Sequence, residues 1–393
     1  MEEPGPVEVV VVGGGVIGLS VAWRAAAVGA TVVVVDPSPG RGATWAAAGM
    51  LAPVGEAHFG EAPLARLNLQ AARAWPEFAR QLEADSQLAV GYRAGGTVVA
   101  ALDASDRAVV DDLLAFQLEL GLEARRLTSA QCRSLEPLLA PGIRGGAEFA
   151  GDHQVDNRRV VDALVKACTR WKVTMVADGV ATITASGDRV TGVTLRSGRQ
   201  IHAPQVVLAA GAHSGQVGGL PPEVVPPVRP VKGLTLRLRS PVDGPALTRT
   251  VRGLVRGRSC YLVPRSDGSL VVGATMEERG FDLTVQAGAV HDLLDDARAV
   301  VPAVDEYGFE EATAGSRPGT PDNAPVVGAA GPAGLVVATG HFRNGILLAP
   351  ITAEAVVALL AGRPVPADFR VFGPERFGPA GPANAHRGLT VPA

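Results

Sequence analysis

The sequence predicts an α/β protein in two parts: a parallel sheet built from βαβ units, and an α+β domain around an antiparallel sheet. Three observations carry this expectation. Valine runs flank a helix-length stretch at the N-terminus, alternating strand patterns fill the middle of the chain, and a buried-strand pattern returns near the C-terminus. Val7–Val12 has the composition of a strand buried on both faces. A glycine-rich turn follows, then a helix over Val16–Val28 closed by Gly29, and a second buried strand over Thr31–Val35 ending at Asp36. Pro63 introduces a helix over Leu64–Ala84. Thr97–Ala101 reads as a short strand, Arg107–Leu120 and Ser129–Leu135 as helices, and Asn157–Trp171 as an amphipathic helix introduced by Asp156. From Thr174 to Leu208 the pattern is β, with turns at Gly187-Asp188 and Ser197-Gly198. Five prolines between Pro221 and Pro230 exclude a helix or central strand and mark a crossover. Strand alternation runs from Val231 to Thr275 and a helix covers Val285–Val300. Strands follow at Tyr307–Ser316 and Leu335–Thr339, and Asn344–Leu360 is the last helix. Beyond Gly373, Pro, Gly and Ala dominate and predict a disordered tail.

Composition narrows the function. With 47% apolar and 19% charged residues, the 393-residue chain can bury a large core. A net charge of −3 without a Lys/Arg block argues against a nucleic-acid partner. The three cysteines, Cys132, Cys168 and Cys260, show no metal-ligand spacing. Their odd number fits buried thiols in a reducing cytoplasm better than disulfides. The acidic Met1–Pro4 start lacks a basic leader, and no stretch reads as the roughly 18 apolar residues of a membrane span.

Gly13-Gly14-Gly15-Val16-Ile17-Gly18 fits G-x-G-x-x-G between a strand and a helix, and Asp36 ends the next strand. In such a turn Gly13 permits the tight bend, Gly15 admits a pyrophosphate to the backbone, and Gly18 allows close helix–strand packing. The helix N-terminus then faces the phosphates, and Asp36 is placed for the ribose hydroxyls. The turn alone does not separate FAD from NAD. Three later segments favour FAD. The small-residue run Ala46–Met50 offers close backbone approach to a flat ring, Val206–Ala212 is a buried strand ending in a turn, and Gly340–Leu348 leads a strand into a second helix N-terminus. No second G-x-G-x-x-G follows a strand, so electrons are expected to leave for oxygen or a small acceptor.

Five blocks in order then resemble the D-amino-acid oxidase superfamily, and within it the glycine oxidases of thiamine biosynthesis: Ala47–Pro53, Asp152–Arg158, Tyr261–Arg265 with Val272–Met276, Ser316–Asp322, and Gly340–Pro350. The resemblance implies a glutathione-reductase-type, Rossmann-like FAD-binding domain over 1–92, 150–226 and 327–372. It implies a substrate domain over 93–149 and 227–326. Arg317 is implied to hold the substrate carboxylate, with the Tyr261 hydroxyl touching it and Arg343 nearby. Met50, Met276 and Glu56 are implied to shape a small pocket, although Glu56 and Arg343 read equally well as a solvated charge and a loop-steadying charge. FAD is implied to lie against Gly13, Gly15, Val16, Ile17, Gly18, Asp36, Thr44, Ala47, Ala48, Gly49, Met50, Val180, Gly211, His341, Arg343, Asn344, Gly345, Ile346 and Leu347. His341 reads equally as a structural histidine. Sarcosine-oxidase-like relatives hold flavin through a cysteine just before this loop. Gly315-Ser316-Arg317-Pro318 has none, so FAD is expected to be non-covalent.

The expected reaction passes hydride from Cα of glycine, sarcosine or D-alanine to FAD, with no dedicated general base. Oxygen then gives hydrogen peroxide, and the imine gives glyoxylate and ammonia or feeds thiazole synthesis. A homotetramer is implied by resemblance. The competing expectations are a D-amino-acid dehydrogenase, a sarcosine or D-proline oxidase, and a non-catalytic FAD-binding subunit.

Overall fold

A computed structural model describes residues 6–242 and 244–377. Its first sheet has six strands, in the order Val326–Ala329, Leu335–Thr339, Gln205–Leu208, Val9–Val12, Val32–Val35, Thr174–Val176. All neighbours are parallel except the first pair. Alternation explains the uninterrupted valines. Val9, Val11, Val32 and Val34 point into a core shared with the helices Val16–Ala27, Ala62–Ser86, Asn157–Arg170 and Gly345–Leu360. Val10, Val12, Val33 and Val35 point the other way, into a core shared with the meander Val180–Ser186, Arg189–Leu195 and Gln200–His202. Neither face meets water, so neither carries polar residues.

The second sheet has eight strands, in the order Gly308–Gly319, Arg229–Arg239, Ser269–Gly273, Arg258–Pro264, Thr250–Val255, Thr97–Ala101, Gly146–Phe149, Arg125–Leu127. Only the pair Thr250–Val255 and Thr97–Ala101 is parallel. The helix Ala287–Val300 packs on this sheet through Leu293, Ala297 and Val300. A two-stranded ladder, Met50–Leu51 with His153–Gln154, completes the fold.

Several expectations need correction. The helix expected from Arg107 begins at Ala104, because Asp103 and Asp106 form a capping box. Pro230 lies inside the strand Arg229–Arg239, although the proline-rich run was expected to exclude a central strand. At that end only Gly308–Gly319 pairs with it, since pairing to Ser269–Gly273 starts at Thr235, so the missing N–H breaks no ladder on the second side. The stretch Phe342–Leu360 does reach membrane-span length and hydropathy, contrary to the sequence reading. Most of it is buried against the helices Val16–Ala27 and Ala62–Ser86, which is why it can be apolar on nearly every side. The tail expected from Gly373 is structured as far as Phe377: Pro374–Phe377 forms a 3₁₀ turn, and Arg376 pairs with Asp322 at 2.8 Å. Residues 378–393, the rest of that expectation, lie outside the described residues.

Candidate active site

The cofactor end of the site is made of backbone. Gly13 has φ +107°, a left-handed region closed to most side chains, and a Cβ there would strike the Ala209 carbonyl. A Cβ at Gly18 would strike the Gly13 carbonyl oxygen, so helix and turn touch directly. Gly15 differs: its Cβ position meets only Thr44 Oγ1, at 3.5 Å, which leaves the cradle a pyrophosphate needs. Gly15 has no side chain to cap the helix that starts at Val16, and Thr44 Oγ1 accepts from the Val16 N–H at 3.1 Å instead. Ile17 is buried in the helix core. The Asp36 carboxylate accepts from the Gly14 and Ser38 N–H groups, each at 2.7 Å, and so braces the turn while keeping acceptor capacity for ribose hydroxyls. Val180 starts the meander and packs in the core with Val33 and Val35, close to that acid.

The small-residue segment is clamped from the second sheet. Buried Arg265 donates to the Ala48 carbonyl at 2.5 Å, to Val155 O at 2.8 Å and to Gln154 Oε1 at 2.7 Å. Gly49 passes this contact at φ +70° and its carbonyl accepts from the Val155 N–H. Asn157 Nδ2 donates to the Thr44 carbonyl at 2.8 Å. Ala47 packs half-buried on the helix core, and Ala48 forms a small cluster with Val263 and Val271 against which Met50 and Tyr261 pack.

The C-terminal segment turns at Gly340 and passes through a 3₁₀ turn, Phe342–Asn344, before the helix Gly345–Leu360, rather than entering it directly. Asn344 makes no side-chain cap, so the N–H groups of Gly345, Ile346 and Leu347 begin an uncapped helix. Trp75 Nε1 anchors this turn through the Leu347 carbonyl at 2.8 Å. Gly211 opens the 3₁₀ turn after Gln205–Leu208, and its carbonyl accepts from Thr339 Oγ1. His341 is buried and bonded to Thr352 Oγ1, and burial pushes its pKa down to about 3, so it is a neutral packing histidine.

The substrate end is made of side chains. Arg317 lies on Gly308–Gly319, where Nη1 donates to the Thr275 carbonyl at 3.1 Å and reaches the Lys232 carbonyl at 3.5 Å. The guanidinium sits over Gly233, where any Cβ would collide with it. On the adjacent strand the Tyr261 ring and hydroxyl cover Gly273 in the same way. Burial raises the Tyr261 pKa, so the phenol stays a hydrogen-bond donor.

Glu56 is not the solvated carboxylate that its loop position allowed. It is buried, 2.7 Å from Arg252 Nη1 and 3.2 Å from Arg343 Nε. Burial alone would raise its pKa, but Arg252 and then Arg343 outweigh burial and hold it at about 2. Arg343 also reaches Glu61 at 3.4 Å, and Glu61 accepts from Asn323, so Arg343 steadies the loop between Leu51 and Ala62. Met276 is 65% exposed beyond the end of Ser269–Gly273 and directly follows Thr275, whose carbonyl accepts from Arg317.

Sequence reasoning missed Arg252, His58 and Asp152. Arg252 pairs in register with Tyr261, so both side chains leave the sheet on the same face. It also donates to the Gly55 carbonyl at 2.8 Å. Asp152 accepts from the Val54 and Gly55 N–H groups, both at 3.0 Å, and burial pushes it up to about 7. Burial, reinforced by Arg343, pushes His58 down to about 4. Only strand register could have exposed Arg252, and the sequence does not state register.

With this geometry in place, the comparisons are specific. Residues 8–359 match the family model described as FAD dependent oxidoreductase. The chain belongs to the FAD-dependent oxidoreductase family. Glycine oxidase of Geobacillus kaustophilus is 32% identical over 379 residues, covering 93% of this chain and 96% of the relative. The crystal structure of that glycine oxidase has a TM-score of 0.87 at 30% identity, covering 97% of this chain and 99% of the other. The bifunctional protein ThiO/ThiG of Trichormus variabilis is 34% identical over 352 residues, 89% of this chain but 52% of the relative. The chain thus spans about half the length of that bifunctional relative. Non-covalent FAD is the norm in this family, and the open Gly15 cradle and the uncapped start of Gly345–Leu360 fit that cofactor here. The three cysteines are buried and lie outside the Gly315–Pro318 loop.

Proposed function

We propose that the protein oxidises glycine or a similarly small amine, with oxygen as electron acceptor, to an imine and hydrogen peroxide. The observation that carries this is the placement of the Arg317 guanidinium over Gly233 and of the Tyr261 hydroxyl over Gly273, glycines of adjacent strands, beside the segment Ala48–Met50. Two backbone carbonyls orient the Arg317 guanidinium, and its planar fork then binds a carboxylate in one orientation. Tyr261 donates its hydroxyl to the same carboxylate. Glu56, ionised and facing this cluster, accepts from the substrate nitrogen. The loop from Ala52 to Glu61, pinned by Arg252, Arg343 and Asp152, keeps water out. FAD, when bound, takes the hydrogen and electron pair from Cα. Similarity to glycine oxidase and to a ThiO/ThiG protein supports a small amino acid and a place in thiamine biosynthesis.

A second reading has its own support. Hydrogen cyanide synthase subunit HcnC of Pseudomonas aeruginosa is 28% identical over 410 residues, covering 95% of this chain and 96% of that one. On that reading the chain works as a subunit of a larger complex, with a partner in place of oxygen as acceptor. One experiment separates the two. Purified protein should be yellow, anaerobic glycine should bleach the flavin band, and air should restore it with stoichiometric peroxide. Bleaching with slow recovery favours the subunit reading. No bleaching by glycine, sarcosine or D-alanine removes both.

A further inference from the structure

Beside Tyr261 stand two more guanidiniums, Arg252 and Arg343, joined through Glu56. Arg252 projects from Thr250–Val255 on the same face as Tyr261 and grips Glu56 at 2.7 Å. Arg343 holds the other oxygen of Glu56 at 3.2 Å and Glu61 at 3.4 Å. Arg252, Arg343 and Arg317 supply three fixed positive charges, while Glu56 and Glu61 supply two negative ones. Asp152 is turned away to the Val54 and Gly55 N–H groups, and burial raises its pKa to about 7, so at and below neutrality it carries only part of a charge, while His58 is neutral. Among the three arginines and two glutamates one positive charge is left over, and one substrate carboxylate cancels it. A second acid group on the substrate would enter a site already balanced, and the place between Arg252 and Arg343 that would suit it is filled by the protein's own carboxylate.

We propose that Glu56, clamped by Arg252, restricts this pocket to amines bearing a single carboxylate by occupying the anion position that a second acid group would need. Arg252 is a positioning residue here: it acts through Glu56 and the Gly55 carbonyl. The inference rests on the substrate class proposed above, and it deepens that reading to exclude N-carboxymethyl and other dicarboxylic amines.

Its test uses holoenzyme and a readout independent of turnover. Methoxyacetate and diglycolate are unreactive carboxylates that differ by one acid group, and their dissociation constants can be read from thermal shift. The wild type should favour methoxyacetate. E56Q should move the diglycolate-to-methoxyacetate affinity ratio toward diglycolate by about tenfold or more. R252Q should weaken both ligands. E56Q/R252Q, which restores the charge balance, should return the ratio to the wild-type value. A ratio unchanged in E56Q overturns the proposal. So does a double variant that keeps the E56Q ratio, since space rather than charge would then be selecting. If E56Q does not fold, E56D serves: retained charge predicts wild-type selectivity, and a gain in diglycolate binding overturns the idea. If glycine fails to bleach the flavin while these ratios hold, the oxidase reading falls and the charge filter stands.

Discussion

The two ends of the site are built on opposite principles. At the Gly13–Gly18 turn the working groups are backbone N–H groups and the side chains are absent, so geometry is set by what cannot fit. At the Glu56–Arg252–Arg343–Arg317 end the working groups are charges on long side chains drawn from four separate segments, and geometry is set by mutual attraction. The first kind of site is indifferent to most neighbouring side chains but intolerant of a single added methyl. The second tolerates small changes of shape but not loss of one partner, because a buried charge without its counter-charge is far more costly than either pair.

Substitutions can break or sharpen that contrast. The largest effect is expected for Gly18→Ala, whose methyl must displace the Gly13 carbonyl; purified variant should lack the flavin absorbance band while wild type is saturated. Arg317→Ala should keep its flavin and raise KM for glycine by on the order of a hundredfold or more, equivalent to about 3 kcal/mol. An unchanged KM would place the carboxylate clamp elsewhere. Arg252→Met should lower unfolding free energy in urea by about 3–5 kcal/mol, since Glu56 keeps only Arg343.

Acid should expose a subtler difference. His341 is held at about 3 in the fold against 6.5 as the ordinary value, so the unfolded chain binds a proton in that window and the native state does not. Stability from this group is therefore complete above pH 6.5 and is lost as pH falls toward 3, at about 1.4 kcal/mol per pH unit. His341→Asn should flatten that slope by one proton in melting curves between pH 4.5 and 6.5. The smallest effect belongs to Met276→Ala. With 65% of the residue exposed, stability should change by less than about 0.5 kcal/mol and KM by less than about twofold. A larger KM change would show that Met276 closes over bound substrate.

The contrast also explains what could be read in advance. A turn made of consecutive residues appears in the sequence as itself: Gly13 to Gly18 and Asp36 are legible because every participant lies on one βαβ unit. Arg265 and Arg317 stood out only as parts of matched blocks, and their bonds to Ala48 and Thr275 come from other segments. The exposure of Met276 was not legible, because a motif position does not say which way a residue faces past the end of a strand.

Sequence alone determined the buried valine strands, the glycine turn and the long helices, because each depends on residues a few positions apart, whereas short strands such as Arg125–Leu127, Gly146–Phe149 and Val326–Ala329 exist only through their sheet partners. Tertiary structure alone decided that Arg252 stands beside Tyr261 and that Glu56, nearly two hundred residues away, becomes its counter-charge. Strand register and loop folding set those meetings. A charge takes its meaning from its neighbours in space, which the linear order does not record.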